Sequence, residues 1–334
     1  MAEALGLLLL SFFITSILLV PFIDLLYRYN FRRRKQTTLD CLDKQTKVFD
    51  KLHNWKSGVP IGGGVLVIGV VTFLAFWAYA LLGEDIMFWE VFVLLFTFIG
   101  FGVLGAFDDV KKMFNRKSGF FGLRMRYKLI MQIILSLIIG CIFYFALGYN
   151  FIYIQWLGQI NIGPLFILLA GFCVTSFANA YNITDGLDGL ASGLLMICLF
   201  AFWAIASAFI QPSLAIFIAI WLGALIAFLY FNVYPARIYL GDTGSLSFGA
   251  TLAVVGLLTG KVLALAIIGG VFVVEVASSL IQIVGKYYLK KKLLKLSPVH
   301  LYLQSIGWEE PKIVMRAWLA GIVLAVFGLW LALM

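Results

Sequence analysis

The segment Ser213–Phe231 reads SLAIFIAIWLGALIAFLYF and contains no charged residue. At the helical rise of 1.5 Å per residue it is about 30 Å long, which matches the hydrocarbon core of a bilayer. The rest of the chain is similar. Of 334 residues, 63% are hydrophobic and 12% are charged, and the mean hydropathy is +1.03. Soluble domains carry about a quarter charged residues. The composition therefore excludes a soluble globular protein and predicts helices that cross a membrane.

Further apolar runs of similar length predict an all-α, polytopic integral membrane protein with about ten transmembrane helices. The predicted spans are residues 4–26, 60–82, 88–107, 129–148, 164–180, 189–210, 213–231, 245–260, 263–284 and 313–333. Basic residues follow the first span rather than precede it, which is opposite to a cleaved signal peptide. We see no internal repeat and no soluble domain boundary, so residues 1–334 are predicted to form a single transmembrane domain.

The basic residues predict the orientation. The loops after the first, third and ninth spans carry nine, seven and five lysines or arginines, and of the 25 in the chain only Lys261 lies on the opposite side. Basic loops face the cytoplasm. Both termini are therefore predicted outside, with cytoplasmic loops at 27–59, 108–128, 181–188, 232–244 and 285–312. The net charge of +9 is explained by these loops, and no nucleic-acid partner is predicted.

Among the acids on this predicted cytoplasmic side are Asp108, Asp109, Asp185, Asp188 and Asp242. Each has a simple structural interpretation as a solvated helix end, a helix N-cap or an Asx-turn. Three acidic clusters on one face are poorly explained in this way, because acids at a bilayer boundary are costly and usually mark a site. Magnesium uses one or two carboxylates and completes its shell with water and substrate phosphate. The clusters therefore favour a magnesium-dependent phosphate site.

Basic side chains on the same side suit this chemistry. Lys112 follows the paired aspartates, and Lys56 precedes the glycines at 62–64. Those glycines match no nucleotide-binding loop and favour close helix packing. The two histidines, His53 and His300, also fall in predicted cytoplasmic loops. A histidine in a basic loop is by itself more typical of a surface.

Four stretches carry a family resemblance. They are HNWKSGVPIGG at 53–63, FDDVKK at 107–112, NAYNITDGLDGLA at 179–191 and FNVYPARIYLGDTGS at 231–245. In this order and spacing, and with Glu275, Ser278 and Gln282 in the ninth span, the chain resembles the polyprenyl-phosphate N-acetylhexosamine-1-phosphate transferases. The resemblance extends from about His53 to Trp318.

The segments 297–300 and 307–318 are similar to the branch of this family that acts in peptidoglycan synthesis. The chain also departs from that branch. A single His300 is followed by Leu301 and Tyr302 where three histidines are usual, and Val59 and Ile61 replace the usual threonines. These departures concern the donor sugar more than the reaction class.

The resemblance implies transfer of phospho-N-acetylmuramoyl-pentapeptide from a UDP donor to undecaprenyl phosphate in a bacterial cytoplasmic membrane, giving lipid I and UMP. The alternative within the family is a UDP-N-acetylglucosamine-1-phosphate transferase. A secondary transporter is the alternative from another class. It would show acids near mid-membrane and an inverted repeat, whereas Glu275 is the one deep acid.

The resemblance also implies residue roles. Mg²⁺ would be held by Asp109 and Asp242, and the catalytic residues would be Asp108, Asp109, Asp242, Lys112 and His300. The substrate-binding residues would be His53, Lys56, Asn182, Asp185, Asp188, Asn232, Tyr239, Glu275, Ser278 and Gln282. If the turn after the fifth span is helical, Asp185 and Asp188 share one face and can point with Asn182 into one cavity. The implied partners are the UDP-linked amino sugar, undecaprenyl phosphate and membrane lipid, and a homodimer stays open.

Overall fold

The computed structural model describes residues 2–33, 56–81, 87–114, 125–154 and 156–334. Predicted site residue His53 lies outside these ranges. The helices are α1 (Ala2–Arg28), α2 (Gly63–Leu81), α3 (Phe88–Phe114), α4 (Met125–Cys141), α5 (Leu165–Thr184), α6 (Leu190–Ala208), α7 (Pro212–Asn232), α8 (Gly241–Leu258), α9 (Val262–Ile268), α10 (Gly270–Tyr288), α11 (Val299–Ser305) and α12 (Glu310–Leu333). A π-helical turn, Ile142–Ala146, continues α4.

Within the described ranges, ten helices are long and apolar enough to cross a membrane. They are α1 to α8, α10 and α12, so the predicted all-α polytopic fold is confirmed. One feature was not predicted. An antiparallel hairpin of β1 (Phe151–Ile154) and β2 (Gly158–Asn161) joins α4 to α5. Just before it, the Tyr149 hydroxyl donates to the Leu258 carbonyl at the end of α8, at 2.7 Å.

Helix α8 lies at the centre of the fold, packed against α3 and α5. All its residues from Thr243 to Leu258 are buried. Small residues allow this packing: a Cβ on Gly64 of α2 would lie 2.3 Å from the backbone nitrogen of Gly244. Gly63 and Gly64 therefore allow close helix packing, whereas Gly62 precedes the helix and a Cβ there would make only ordinary contacts.

Helix α3 continues past the predicted end of the third span. It reaches Phe114, so Asp108 and Asp109 lie inside the helix rather than at its end. Two features support the extra turn. Asp108 and Lys112 form an i,i+4 ion pair at 3.0 Å. Lys111 and Lys112 also lie in the last turn, where basic residues complement the helix dipole.

The eighth and ninth spans differ from their predicted limits. Helix α8 begins at Gly241, whose φ is +76°, so Asp242 lies in its first turn. The ninth span is divided into α9 and α10 at Gly269. A Cβ on Gly269 would lie 2.5 Å from a ring carbon of Phe177, so the break coincides with close packing against α5.

Candidate functional site

Two lysines and two aspartates from three helices converge on one point. Lys112 Nζ lies 3.0 Å from Asp108 Oδ2 and 2.8 Å from Asp242 Oδ2. Lys128, in the first turn of α4, lies 3.2 Å from Asp108 Oδ2 and also pairs with Asp242 Oδ2. We call these four residues the acid–lysine cluster. Its carboxylates come from α3 and α8. The Asp108 side chain is almost fully shielded from solvent, with 3% of its surface exposed.

Asp109 plays a different part, because both of its carboxylate oxygens accept hydrogen bonds from the start of α8. Oδ1 accepts from the Asp242 backbone N–H at 3.0 Å. Oδ2 accepts from the N–H and the hydroxyl of Thr243, at 2.9 and 2.7 Å. The first N–H groups of a helix have no intrahelical partner. Asp109 therefore caps α8 from a neighbouring helix and places Asp242 beside α3.

Asn182 of α5 joins the same cluster. Its side-chain amide donates to Asp242 Oδ1 at 3.2 Å and to the Ser245 hydroxyl at 2.7 Å. Asp188 does not accompany it, because α5 ends at Thr184 and α6 begins at Leu190. Residues 185–189 are not helical, so the expected shared face of Asp185 and Asp188 does not form. That these acids and Asn182 point into one cavity stays a prediction, without the helical turn on which it was based.

The carboxylates of the acid–lysine cluster are the donor atoms that bear on a magnesium site. Among the described residues, no group of three or more His, Cys, Asp or Glu side chains is arranged to hold a metal. Oxygens of Asp108 and Asp242 nevertheless meet at the same two ammonium groups. Two carboxylates plus water and substrate phosphate suit Mg²⁺. The cluster therefore fits a magnesium ion held jointly with phosphate. Both carboxylate oxygens of Asp109 accept hydrogen bonds from the start of α8. Its predicted role as a metal ligand stays a prediction.

Lys56 lies at a second charged centre. Its ammonium contacts Asp188 Oδ1 at 2.6 Å and also Glu310, and 1% of the lysine side chain is exposed. Asp188 Oδ2 accepts from the Ala236 N–H at 2.9 Å, and Asp188 Oδ1 accepts from the Tyr239 hydroxyl at 3.3 Å. The predicted substrate-binding residues Lys56, Asp188 and Tyr239 are thus brought together.

His300 is held by Glu275. The two side chains are buried, and Glu275 accepts from the His300 backbone N–H while its other oxygen lies 3.2 Å from Nδ1. A proton on Nδ1 would form a hydrogen bond to Glu275. Nε2 takes no part in that hydrogen bond. A Cβ on Gly186 would lie 2.6 Å from Nε2. The ring therefore faces the turn that carries Asp185.

Three other predicted substrate-binding residues form side-chain hydrogen bonds to other residues of the protein. The Asn232 amide donates to the Ile238 carbonyl and accepts from the Ser192 hydroxyl. The Ser278 hydroxyl donates to the Glu275 carbonyl. The Gln282 amide bonds both backbone groups of Leu294. Their contact with substrate stays a prediction, and the geometry gives each a role in holding a loop or helix.

Asp185 lies in the turn between α5 and α6, and only part of its side chain reaches solvent. Burial, and then the negative charge of Asp242, raise the pKa of the Asp185 carboxyl to about 8. The group is therefore mainly protonated at neutral pH and can donate a hydrogen bond to a ligand.

The pKa of Asp185 predicts how stability depends on pH. A carboxyl whose pKa is raised in the folded state stabilises the fold fully below its unfolded value near 3.9, and this contribution is lost as pH rises towards 8. Asp185→Asn removes the titration. We expect the melting temperature of Asp185→Asn in detergent to fall less than that of wild type between pH 5 and 8.5. Glu309→Gln, at an exposed carboxylate, is the control and should follow wild type. Parallel curves for Asp185→Asn and wild type would contradict the prediction.

Sequence reasoning missed two residues of these sites, Lys128 and Glu310. Lys128 was counted only among the basic residues that set orientation. Its position in the first turn of α4, where a cation opposes the helix dipole, is a signal that could have identified it. Glu310 begins α12 and is buried. Nothing in the sequence pairs it with Lys56, which is 254 residues away.

Comparisons with known proteins decide the family. Residues 91–260 match the model of glycosyl transferase family 4. The chain belongs to this family. It is also 36% identical to a phospho-N-acetylmuramoyl-pentapeptide-transferase of Bacillus subtilis (strain 168) over 288 residues, which cover 84% of this chain and 86% of the relative. A protein of the same name from Geobacillus sp. (strain WCH70) is 36% identical over 330 residues, covering 96% and 95%.

The matched region of family 4 contains α3 from Val91 onward and α4 to α8, and therefore the whole acid–lysine cluster. The predicted family and the predicted class, a membrane-embedded phosphosugar transferase, are confirmed. Transport as the primary activity is not supported.

Proposed function

We propose that this chain transfers phospho-N-acetylmuramoyl-pentapeptide from its UDP donor to undecaprenyl phosphate at the cytoplasmic face of a bacterial membrane. The products would be lipid I and UMP. The acid–lysine cluster carries the proposal, because it gathers two cations and two carboxylates at the ends of three spans. The names of the relatives support the choice of donor. The basic loops support the cytoplasmic orientation.

In the proposed reaction an oxygen of the lipid phosphate attacks the sugar-bearing phosphorus of the donor. A new P–O bond forms, the P–O bond to UMP breaks, and UMP leaves with the bonding electron pair. A phosphate monoester has a second pKa near 6, so the attacking phosphate is largely dianionic at neutral pH. A general base is therefore not needed to deprotonate the acceptor, and the role of Asp108 is to orient the lysines and the acceptor.

Lys112 and Lys128 would stabilise the negative charge on the transferring group. In the free protein they neutralise Asp108 and Asp242, so they are already held at the point where phosphate oxygens would arrive. Mg²⁺, when bound, would supply further neutralisation of the pyrophosphate through Asp242 with Asp108. Asn182 holds Asp242 in place by its hydrogen bond.

The proposal is tested by turnover with two donors. The protein purified in detergent is given undecaprenyl phosphate and either UDP-MurNAc-pentapeptide or UDP-GlcNAc, and UMP release and the lipid product are measured. We expect turnover with the first donor and at most a trace with the second. EDTA should stop UMP release, and added Mg²⁺ should restore it.

The alternative donor is favoured by one observation. His300 is followed by Leu301 and Tyr302 rather than by further histidines. Preference for UDP-GlcNAc in the same assay would establish the N-acetylglucosamine branch and refute the muramoyl donor. Full activity in EDTA would refute the metal requirement while leaving the transfer reaction standing.

A further inference from the structure

Four separate segments of the chain meet at Lys56. The ammonium contacts Asp188 and Glu310, and lies 3.5 Å from the Gly186 carbonyl. Asp188 in turn accepts from the backbone of Ala236 and from Tyr239. The segments that precede α2, follow α5, follow α7 and begin α12 are thereby joined through one buried lysine.

Glu310 completes this arrangement in two ways. Its Oε1 pairs with the Lys56 ammonium and also accepts from the Asp188 backbone N–H at 2.6 Å. Side-chain exposure is 1% for Lys56 and Asp188 and 5% for Glu310. A buried charge or N–H that loses its partner is costly. Glu310 therefore fixes both the direction of the lysine and the backbone of the turn at 186–188.

The turn fixed by Glu310 borders groups that the other sites use. Asp185 precedes it, and Gly186 lies against the His300 ring. On the opposite side, Tyr239 contacts Asp188 and carries the Arg33 guanidinium 5.6 Å above its ring. A displaced turn would move Asp185 relative to His300 and Tyr239, whereas the four residues of the acid–lysine cluster lie on other elements, α3, α4 and α8.

We infer that Glu310 is a positioning residue for donor binding, acting through Lys56 and the Asp188 backbone. This inference rests on the proposed function: of its two substrates, the nucleotide-linked donor rather than a prenyl chain suits the polar groups of Asp185, His300 and Tyr239 around this turn. The acid–lysine cluster would hold the reacting phosphates of both donor and acceptor, so a change confined to the Lys56 side concerns the donor alone. Loss of Glu310 should weaken binding of the donor and leave binding of the acceptor unaffected.

The test compares two adjacent glutamates. Glu310→Gln keeps the shape and the acceptor for the Asp188 N–H but removes the charge that faces Lys56. Glu309→Gln makes the same change at an exposed position. We expect Glu310→Gln to raise the KM for the UDP donor by about 10- to 100-fold, in line with losing a charged hydrogen bond. The KM for undecaprenyl phosphate should stay within about twofold, and Glu309→Gln should match wild type.

A double-mutant comparison shows whether Glu310 acts through Lys56. Adding Glu310→Gln to Lys56→Met should change kcat/KM for the donor by less than about twofold, because the cation is already absent. Melting temperatures in detergent are recorded for each variant. If Glu310→Gln does not fold, Glu310→Asp, which keeps the charge but shortens the side chain, takes its place with a smaller rise in donor KM.

Two results would overturn the inference. One is a parallel change in the KM for donor and acceptor. The other is full additivity of the Lys56 and Glu310 substitutions. Failure of the proposed function is a distinct result, because wild-type protein would then give no UMP from the UDP donor.

Discussion

Asp242→Asn is expected to lower kcat for UMP release by about 10³-fold, the size typical of removing a charge-stabilising group from an active site. The substitution keeps the shape of the side chain. It removes the negative charge that Lys112 and Lys128 share. It also weakens the carboxylate pair that fits magnesium. The backbone N–H of Asp242, which Asp109 binds, is unchanged, so α8 keeps its cap and the fold should persist.

Asp109→Asn is the matched comparison for Asp242→Asn, because Asp109 accepts a hydrogen bond from the Asp242 backbone N–H. Here the cap itself is altered, because Asp109 accepts three hydrogen bonds from the start of α8. Loss of a helix cap costs about 1 kcal/mol. We therefore expect a lower melting temperature as well as lower activity. UMP release and detergent melting curves separate the two variants. Normal turnover in Asp242→Asn would refute the catalytic assignment of the cluster.

Gly105→Ala is expected to be the second most damaging change, although glycine carries no functional group. A Cβ at this position of α3 would lie 2.1 Å from the Asp242 carbonyl oxygen and 2.6 Å from the Cα of Thr243. Both contacts are with backbone, so no side chain can rotate away. Overpacking costs about 1–3 kcal/mol. An ångström of misplacement at a reacting centre can lower the rate about 10²-fold.

Gly100→Ala provides the control on the same helix. A Cβ there would meet only Leu135, at 4.0 Å, which is an ordinary contact. We expect Gly100→Ala to keep wild-type kcat/KM within about twofold, and Gly105→Ala to lose about 100-fold. Equal activity of the two variants would show that the distance between α3 and α8 does not control the cluster.

The number of spans was predictable because it depends on local composition. A run such as Ser213–Phe231 has one stable arrangement in a bilayer, since only a helix satisfies its own backbone there. The ends of α3 and α8 were not predictable in the same way. Gly241-Asp-Thr-Gly reads locally as a turn, and its helical state depends on a cap from Asp109, which is 133 residues away from Asp242.

The candidate site was predictable as a set of residue types and not as a set of partners. The motifs gave Asp108, Asp242 and Lys112 by resemblance, and the structure brings them together. Sequence spacing could not show that the oxygens of Asp109 are used by a cap. It also could not show that Lys128 completes the cluster or that Glu310 faces Lys56, since each contact joins segments that are distant in the chain.

Helix α8 is anchored at both ends. Asp109 binds its first turn, and the Tyr149 hydroxyl binds the carbonyl of Leu258 at its last residue. These contacts oppose movement of α8 along its axis, so we expect α8 to move less than the peripheral helices. The break between α9 and α10 at Gly269 is a position where the chain can bend, and we expect the proposed lipid acceptor to change the angle there. Distance measurements between labels on α10 and α8, with and without lipid acceptor, would follow that bend against a fixed internal reference.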